Sequence, residues 1–369
     1  MKNFCWGPWN GIYEGFAGKV APCCQIPVLY ETDSYEEAFK KWEHLRESYK
    51  KGIKPKECEV CQPEVYDFLN NSIGPSEKPI FFDLLFTNKC NFACLGCKPS
   101  LSSTINEKYI KPISIANEYS NFSQNFGRWN NGTSKKIDYI KKNANDIKAI
   151  HLNGGEPFIQ DDIYELLEWL IKNKLNNKIK IWSHTNGSII KYKGMDLVYD
   201  YMVHFKKSSV TISLDGFGTR GEYVRWGLNE NRWLEVYNRI KNANIPVVVQ
   251  SCYNVFNALV LKDWVSWFDD NNIDNVNMTL WERPECYSAK MLNIDLKLKK
   301  DALNQLKYLR PDWNKQLIIN MLNEKVDNER MLKLKKAFYD SITYFDMIRD
   351  TDFKFTFPEL NSLYKNETK

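Results

Sequence analysis

Three cysteines stand close together in "TNKCNFACLGCKP" (87–99): Cys90, Cys94 and Cys97, spaced C-x3-C-x2-C with a lysine on either side. A structural zinc site takes four ligands and a disulfide takes two, so three adjacent thiols fit neither. Three thiolates do suit a 4Fe–4S cluster with one iron left open, since cysteines hold such clusters. A second set lies upstream. Cys58 and Cys61 form a C-x2-C, and Cys5 and Cys23 complete four ligands, with Cys24 as the adjacent alternative to Cys23. On geometry alone four cysteines suit zinc as well as a cluster. Further chemistry gathers in short polar or glycine-rich runs downstream: Asn153-Gly154-Gly155-Glu156-Pro157, Ser183-His184-Thr185-Asn186-Gly187 and Ser213-Leu214-Asp215-Gly216.

These residues act together only if a fold gathers them, and the chain has the pattern to do so. Strand-like runs at 80–87, 147–155, 178–187, 209–216, 246–254 and 274–282 alternate with amphipathic stretches such as "DDIYELLEWLIKNKL" (161–175) and "NRWLEVYNRIKNA" (231–243). Such alternation implies right-handed crossovers and a parallel sheet, either a partial (β/α) barrel or a doubly wound sheet. Functional residues then belong at the C-terminal ends of the strands, which is where the polar runs fall. In the fourth strand, a period of two puts Val210, Ile212 and Leu214 on one face and Thr211, Ser213 and Asp215 on the other, facing a ligand cavity.

The chain resembles the radical S-adenosylmethionine (SAM) superfamily, whose signature is C-x3-C-x2-C with an aromatic before the last cysteine. Here Leu95 and Gly96 stand at that place, and Phe92 is the nearest ring. The resemblance extends to Gly154-Gly155-Glu156-Pro157, similar to the family's GGEP that binds the SAM amino group. It also covers Thr185-Asn186-Gly187, similar to a TNG after the third strand, and Ser213-Leu214-Asp215-Gly216, in a region that family members use for the ribose and the methionine carboxylate. Arg225 in "EYVRWG" matches a carboxylate-pairing arginine, with Tyr223 where the family has Asp, and Asn257 matches a SAM-contacting asparagine. The resemblance implies a partial (β/α)6 TIM-like barrel and an open iron chelated by SAM. Reductive cleavage of SAM would then give a 5′-deoxyadenosyl radical that abstracts a substrate hydrogen. The segment "CWGPWNGIYEGFAGKVAPCC…GIKPKECEVC" resembles the SPASM/twitch modules of the same enzymes. It implies a second, auxiliary 4Fe–4S cluster on Cys5, Cys23 (or Cys24), Cys58 and Cys61, although such modules usually follow the barrel.

Three zones result: a cysteine-rich module at 1–75, a barrel at 79–287 with a polar insertion at 101–147, and a helical C-terminal extension at 288–369. "NNSIGPSEKP" (70–79) marks the first boundary. The net charge of +5 on 369 residues is a weak excess, so nucleic acid is not an expected partner. No apolar run reaches the roughly 18–20 residues of a membrane span and no export signal opens the chain, so a cytoplasmic enzyme is expected. The module grouping points to oxidation or crosslinking of a peptide or protein. A sugar or small metabolite is the second substrate class, and a flavodoxin or ferredoxin is the expected electron donor. A zinc-binding, nucleic-acid-associated protein is the reading from another class. Cys252 and Cys286 read first as core thiols, and otherwise as cavity thiols able to donate hydrogen to a radical. His151 and His184 are either substrate contacts or hydrogen-bonded structural groups. Trp281, Glu282 and Arg283 end the sixth strand at the expected mouth.

Overall fold

The computed structural model describes residues 5–15, 19–24, 26, 34–59, 74–116 and 133–364. The six expected strands form as β3 (Phe81–Leu85), β5 (Ala149–Asn153), β6 (Lys180–Thr185), β7 (Ser208–Ser213), β9 (Val247–Tyr253) and β10 (Val276–Leu280). They pair in parallel, in that order. The alternation read from the sequence is the alternation of burial. Along β9 every odd residue from Val247 to Tyr253 is buried and every even one half-buried. In and just beyond β7, Val210, Ile212 and Leu214 are all buried on the outer face.

The crossovers are helices whose apolar stripe lies on that face. In α6 (Asp161–Lys172), Ile163, Tyr164, Leu166, Leu167 and Leu170 are buried; Asp161 and Asp162 open the helix and Lys172 ends it, as the helix dipole favours. In α8 (Glu230–Asn242) the buried stripe is Trp233, Val236, Tyr237 and Ile240, and the Asn229 side chain caps the start. α9 (Leu261–Asp270) buries Leu261, Trp264 and Phe268, with Trp264 stacked on Phe217.

The sheet continues past β3. After the four-residue helix α1 (Gly7–Asn10), β1 (Gly11–Glu14) pairs in parallel with β3, Gly11 opposite Phe81, and β2 (Val20–Ala21) folds back antiparallel on β1. The result is an open eight-stranded sheet, β10-β9-β7-β6-β5-β3-β1-β2. An ion pair buried at both ends fastens the hairpin: Glu14 Oε1 lies 3.0 Å from Nζ of Lys136 in α5 (Thr133–Asn143), and Tyr35 of α2 (Tyr35–Lys41) hydrogen-bonds the same carboxylate. The N-terminal zone therefore shares the barrel's sheet. In the same zone α2 and α3 (Glu43–Lys50) meet at the buried Trp42.

A separate antiparallel pair, β4 (Ala93–Cys94) and β8 (Arg225–Trp226), closes the cysteine loop onto the segment after α7 (Gly218–Val224). The insertion contributes α4 (Ile110–Ala116) and α5. The extension contributes α10 (Leu296–Gln305), α11 (Lys315–Asn323), α12 (Asn328–Arg349) and α13 (Phe353–Thr356). No described helix is long and apolar enough to cross a membrane.

Candidate active site

Because the strands are parallel, their C-terminal ends meet at one side of the sheet, and a cavity of about 470 Å³ opens there. Cys90, Cys94 and Cys97 form one wall. Their loop is held on several sides. Ser103 and Thr104 hydroxyls donate to the Cys90 carbonyl (3.2 and 2.7 Å), and Ser102 Oγ donates to the Phe92 carbonyl at 2.6 Å. The β4–β8 pair places Cys94 opposite Arg225, and Leu95 N–H donates to the Val224 carbonyl.

Burial, then their mutual repulsion, pushes the Cys90 thiol up; the same two causes put Cys97 at about 12. Cys94 is raised as well, by burial. Three neighbouring thiols that resist ionisation need a cationic partner to become thiolates, and metal binding displaces those protons. Among the described residues no three His, Cys, Asp or Glu side chains converge on one metal ion. In a 4Fe–4S cluster each thiolate takes its own iron, so three cysteines need not converge on one ion. The donor set therefore fits a 4Fe–4S cluster.

Gly154 and Gly155 line the cavity beside this loop. A Cβ on Gly155 would lie 2.3 Å from the Lys89 carbonyl oxygen, and Gly154 has φ +136°. The glycines thus let the turn after β5 close on the backbone of the cysteine loop, with Gly155 and Glu156 N–H donating to the Thr87 and Lys89 carbonyls. Glu156 is fully buried. Its carboxylate accepts from Thr185 Oγ1 (2.8 Å), Asn186 N–H (2.6 Å) and Phe158 N–H (3.0 Å), so it ties the turn to the end of β6. Burial raises it to about 7 against those donors. Pro157 opens the buried turn Pro157–Ile159. Thr185 and Asn186 reach the cavity, and Asn186 Nδ2 donates to Asn91 Oδ1 at 2.9 Å.

Ser213, Asp215 and Arg225 form the next wall. Arg225 Nη1 lies 2.7 Å from Asp215 Oδ2, and its buried Nε has no partner among the described residues. Asn257 is buried off the cavity and binds the β7 and β9 ends together, donating to the Asp215 and Cys252 carbonyls at 3.1 and 2.8 Å. His184 lines the cavity beside Asn153, and burial lowers it to about 3, so its ring is neutral. His151 lies one layer below, stacked on Trp182 at 3.7 Å with Nδ1 2.8 Å from Asp83 Oδ1. Cys252 lines the cavity; Cys286 is buried elsewhere, its Sγ 3.4 Å from the Ala116 carbonyl. Trp281, Glu282 and Arg283 line the mouth. A Cβ on Gly96 would lie 2.2 Å from the Trp281 ring, so the indole fills the space beside the cysteine loop.

The upstream cysteines lie at the other end. Cys5 precedes β1, and Cys23 and Cys24 follow β2, which runs back towards the start of β1. Cys58 is buried and hydrogen-bonds Tyr49, whose ring is 6.3 Å from Trp9 of α1. Cys61 falls outside the described residues.

Three features had no signal in the local sequence. Arg349, at the end of α12, donates to the Ala93 carbonyl of the cysteine loop at 2.6 Å. Tyr223 O–H donates to Asp346 Oδ1 of the same helix at 2.7 Å. Gln160 Oε1 accepts from Thr87 N–H, bracing the end of β3.

A family model described as the radical SAM superfamily matches residues 84–269, half of the chain. Among solved structures the chain is similar to native anSMEcpe with bound AdoMet, at 17% identity over 62% of this chain and 59% of that one, TM-score 0.43. It is also similar to Streptococcus suis SuiB bound to S-adenosylmethionine, at 15% identity over 78% and 56%, TM-score 0.43. SuiB bound to its precursor peptide SuiA gives 12% identity over 90% and 70%, TM-score 0.39. The chain spans under two thirds of the length of the first two. No curated protein matches.

Proposed function

The chain belongs to the radical SAM superfamily, and from that premise we propose that it uses SAM to abstract a hydrogen from a peptide or protein substrate held at the strand-end cavity. One observation carries the reading: the three thiols of the cysteine loop and the polar ends of β5, β6 and β7 line the same cavity. A 4Fe–4S cluster and SAM are the cofactors the family implies. When bound, they supply an electron and a cleavable sulfonium whose scission yields a 5′-deoxyadenosyl radical and methionine.

The chain's own residues divide the work. Cys90, Cys94 and Cys97 hold the cluster. The backbone around Gly154 and Gly155, with Thr185 and Asn186, receives the amino-acid part of SAM, and Glu156 fixes that backbone from behind. Ser213 and Asp215 take the ribose side, and Arg225 offers a cation to the carboxylate. Asn257 keeps the β7 and β9 ends in register. Neutral His184 and Asn153 present hydrogen-bonding groups without charge, which suits an uncharged substrate segment over the reacting carbon. Lys98, Glu282 and Arg283 give the mouth charges of both signs.

Cys5, Cys23 (or Cys24), Cys58 and Cys61 are proposed to hold an auxiliary cluster, with a flavodoxin or ferredoxin as electron donor. The test is anaerobic reconstitution followed by assay for 5′-deoxyadenosine. Iron-dependent cleavage of SAM that is lost in Cys94→Ala supports the reading. A colourless, zinc-loaded protein inert towards SAM overturns it.

A further inference from the structure

The sheet ends on one side at β10, which among the described residues pairs with β9 alone. Its register decides what the outer edge presents. Val249 N–H donates to the Asn275 carbonyl and Trp281 N–H to the Tyr253 carbonyl, so the odd residues of β10 turn their main chain towards β9. Along a parallel strand alternate residues turn their N–H and C=O to opposite sides. Val276, Met278 and Leu280 therefore present theirs to the open edge.

The two halves of that edge differ. At its start Trp313 Nε1 donates to the Val276 carbonyl at 2.9 Å, and Arg310 donates to the Asp274 and Ile273 carbonyls at 2.9 and 3.0 Å. The turn between α10 and α11 thus covers the half remote from the cavity. Beyond it, no described group bonds the main chain of Met278 or Leu280 on the open side. An unpaired edge is a template for another strand, and proteins blunt it with charge, proline or a covering element. Asn277–Leu280 carries no charge and no proline, and this bare half leads to the cavity, which Leu280 and Trp281 line.

We propose that the bare half of β10 is a docking edge for the substrate peptide, which adds as an extended strand beside Met278 and Leu280 and passes its next residues over Leu280 into the cavity; this rests on the proposed action on a peptide or protein. The covered half sets the length of the added strand. Trp313 already holds the Val276 carbonyl, so pairing starts at Met278 and only a short segment is gripped before the chain enters the site.

The chemistry of the edge names its occupant. Met278 and Leu280 each offer one N–H and one C=O, about 7 Å apart along the strand. That is the repeat of alternate residues in an extended polypeptide, and a sugar or small metabolite has no such repeat. The two faces add a side-chain preference. Asn277 and Thr279 are exposed on the face of Gln250 and Cys252, and Asn277 Nδ2 donates to Gln250 Oε1 at 2.8 Å. Met278 and Leu280 lie half-buried on the other face, against the core. A segment that alternates polar and apolar side chains matches both, while main-chain bonds supply the affinity.

To test this, reconstituted holoenzyme with SAM is panned against a random dodecapeptide library, and the most enriched peptide is synthesised as the probe. Amide hydrogen exchange is read residue by residue by mass spectrometry, and Kd by fluorescence anisotropy. Bound peptide is expected to slow exchange at Met278 and Leu280 at least about tenfold. Met278→Pro removes an outward N–H without touching the β9 ladder and should raise Kd about tenfold. Met278→Leu keeps the main chain and should stay within about twofold of wild type. Circular dichroism and iron content check the folding of the proline variant, and the exchange measurement on wild type stands whatever that variant does. An enriched peptide that leaves both amides exchanging freely, or equal weakening by Met278→Leu and Met278→Pro, overturns the edge and leaves the peptide reading standing. Amides already slow without peptide also overturn it, and a dimer by sedimentation then assigns the edge to a second copy of the chain. A holoenzyme that enriches no peptide, or that makes no 5′-deoxyadenosine from SAM, overturns the edge and the proposed function together.

Discussion

At position 96 one methyl group decides the packing of the cysteine loop. Its Cβ would sit 2.2 Å from the Trp281 ring, so Gly96→Ala forces overpacking that costs about 1–3 kcal/mol. We expect Gly96→Ala to lower the unfolding midpoint and the iron bound after reconstitution, and Trp281→Leu to restore both. An equal loss in the double variant counts against the steric account. The aromatic absent from Leu95-Gly96 was a visible gap in the sequence; that an indole some 185 residues downstream fills it was not, because periodicity carries no long-range contact. The glycines of 154–155 were legible as a match to the family's GGEP, yet their near neighbour is the cysteine loop's own backbone.

Glu156 gives a pH test at the same scale. Its folded value of about 7 exceeds its ordinary 4.5, so between these pH values the folded chain holds a proton that the unfolded chain has lost. Stability is therefore greatest below about 4.5 and falls as pH rises through about 7, by on the order of 3 kcal/mol. Urea midpoints for wild type should fall over that window relative to Glu156→Gln; parallel curves exclude Glu156 as the cause.

At the scale of elements, the six-strand order and the inward polar ends were legible because strand alternation and helix stripes are local properties of the chain. The purpose of the last helices was not. α12 packs beside α4 and ends at Arg349, which is buried among Tyr109, Trp226 and Phe345 and donates to the Ala93 and Tyr223 carbonyls. Burial lowers it to about 10, and it remains a cation at neutral pH. Tyr223, where the resemblance expects Asp, turns to Asp346 on that same helix. The extension thus clamps both strands of the β4–β8 pair. Arg349→Met leaves the Ala93 carbonyl buried without its donor, a loss of about 1–3 kcal/mol. We expect it to destabilise the loop and reduce iron incorporation, with Arg349→Lys intermediate. Wild-type iron content and melting in Arg349→Met would refute the clamp.

For the whole molecule, direction along the strands is the organising fact. Four residues, "GIYE", are too short for a periodic signal, so the sequence could mark 1–75 only as a zone with its own cysteines. The structure adds that zone to the sheet through β1 and so fixes its polarity. Cys90, Cys94 and Cys97 follow a strand's end; Cys5 precedes a strand's start, and Cys23 and Cys24 stand near that start. Among the described residues the two sets stand at opposite ends of the strands, so neither lends a ligand to the other, and their iron should be lost independently. If both hold 4Fe–4S clusters, reconstituted wild type carries about eight irons. Cys58→Ala then drops the count to about four while the remaining iron still turns SAM into 5′-deoxyadenosine. Cys94→Ala also drops it to about four, but with no cleavage of SAM. Four irons in wild type, unchanged in Cys58→Ala, would remove the auxiliary cluster and leave the strand-end site intact. Cleavage lost equally in both variants would instead mean that the two ends of the sheet act as one site, against the separation the topology imposes.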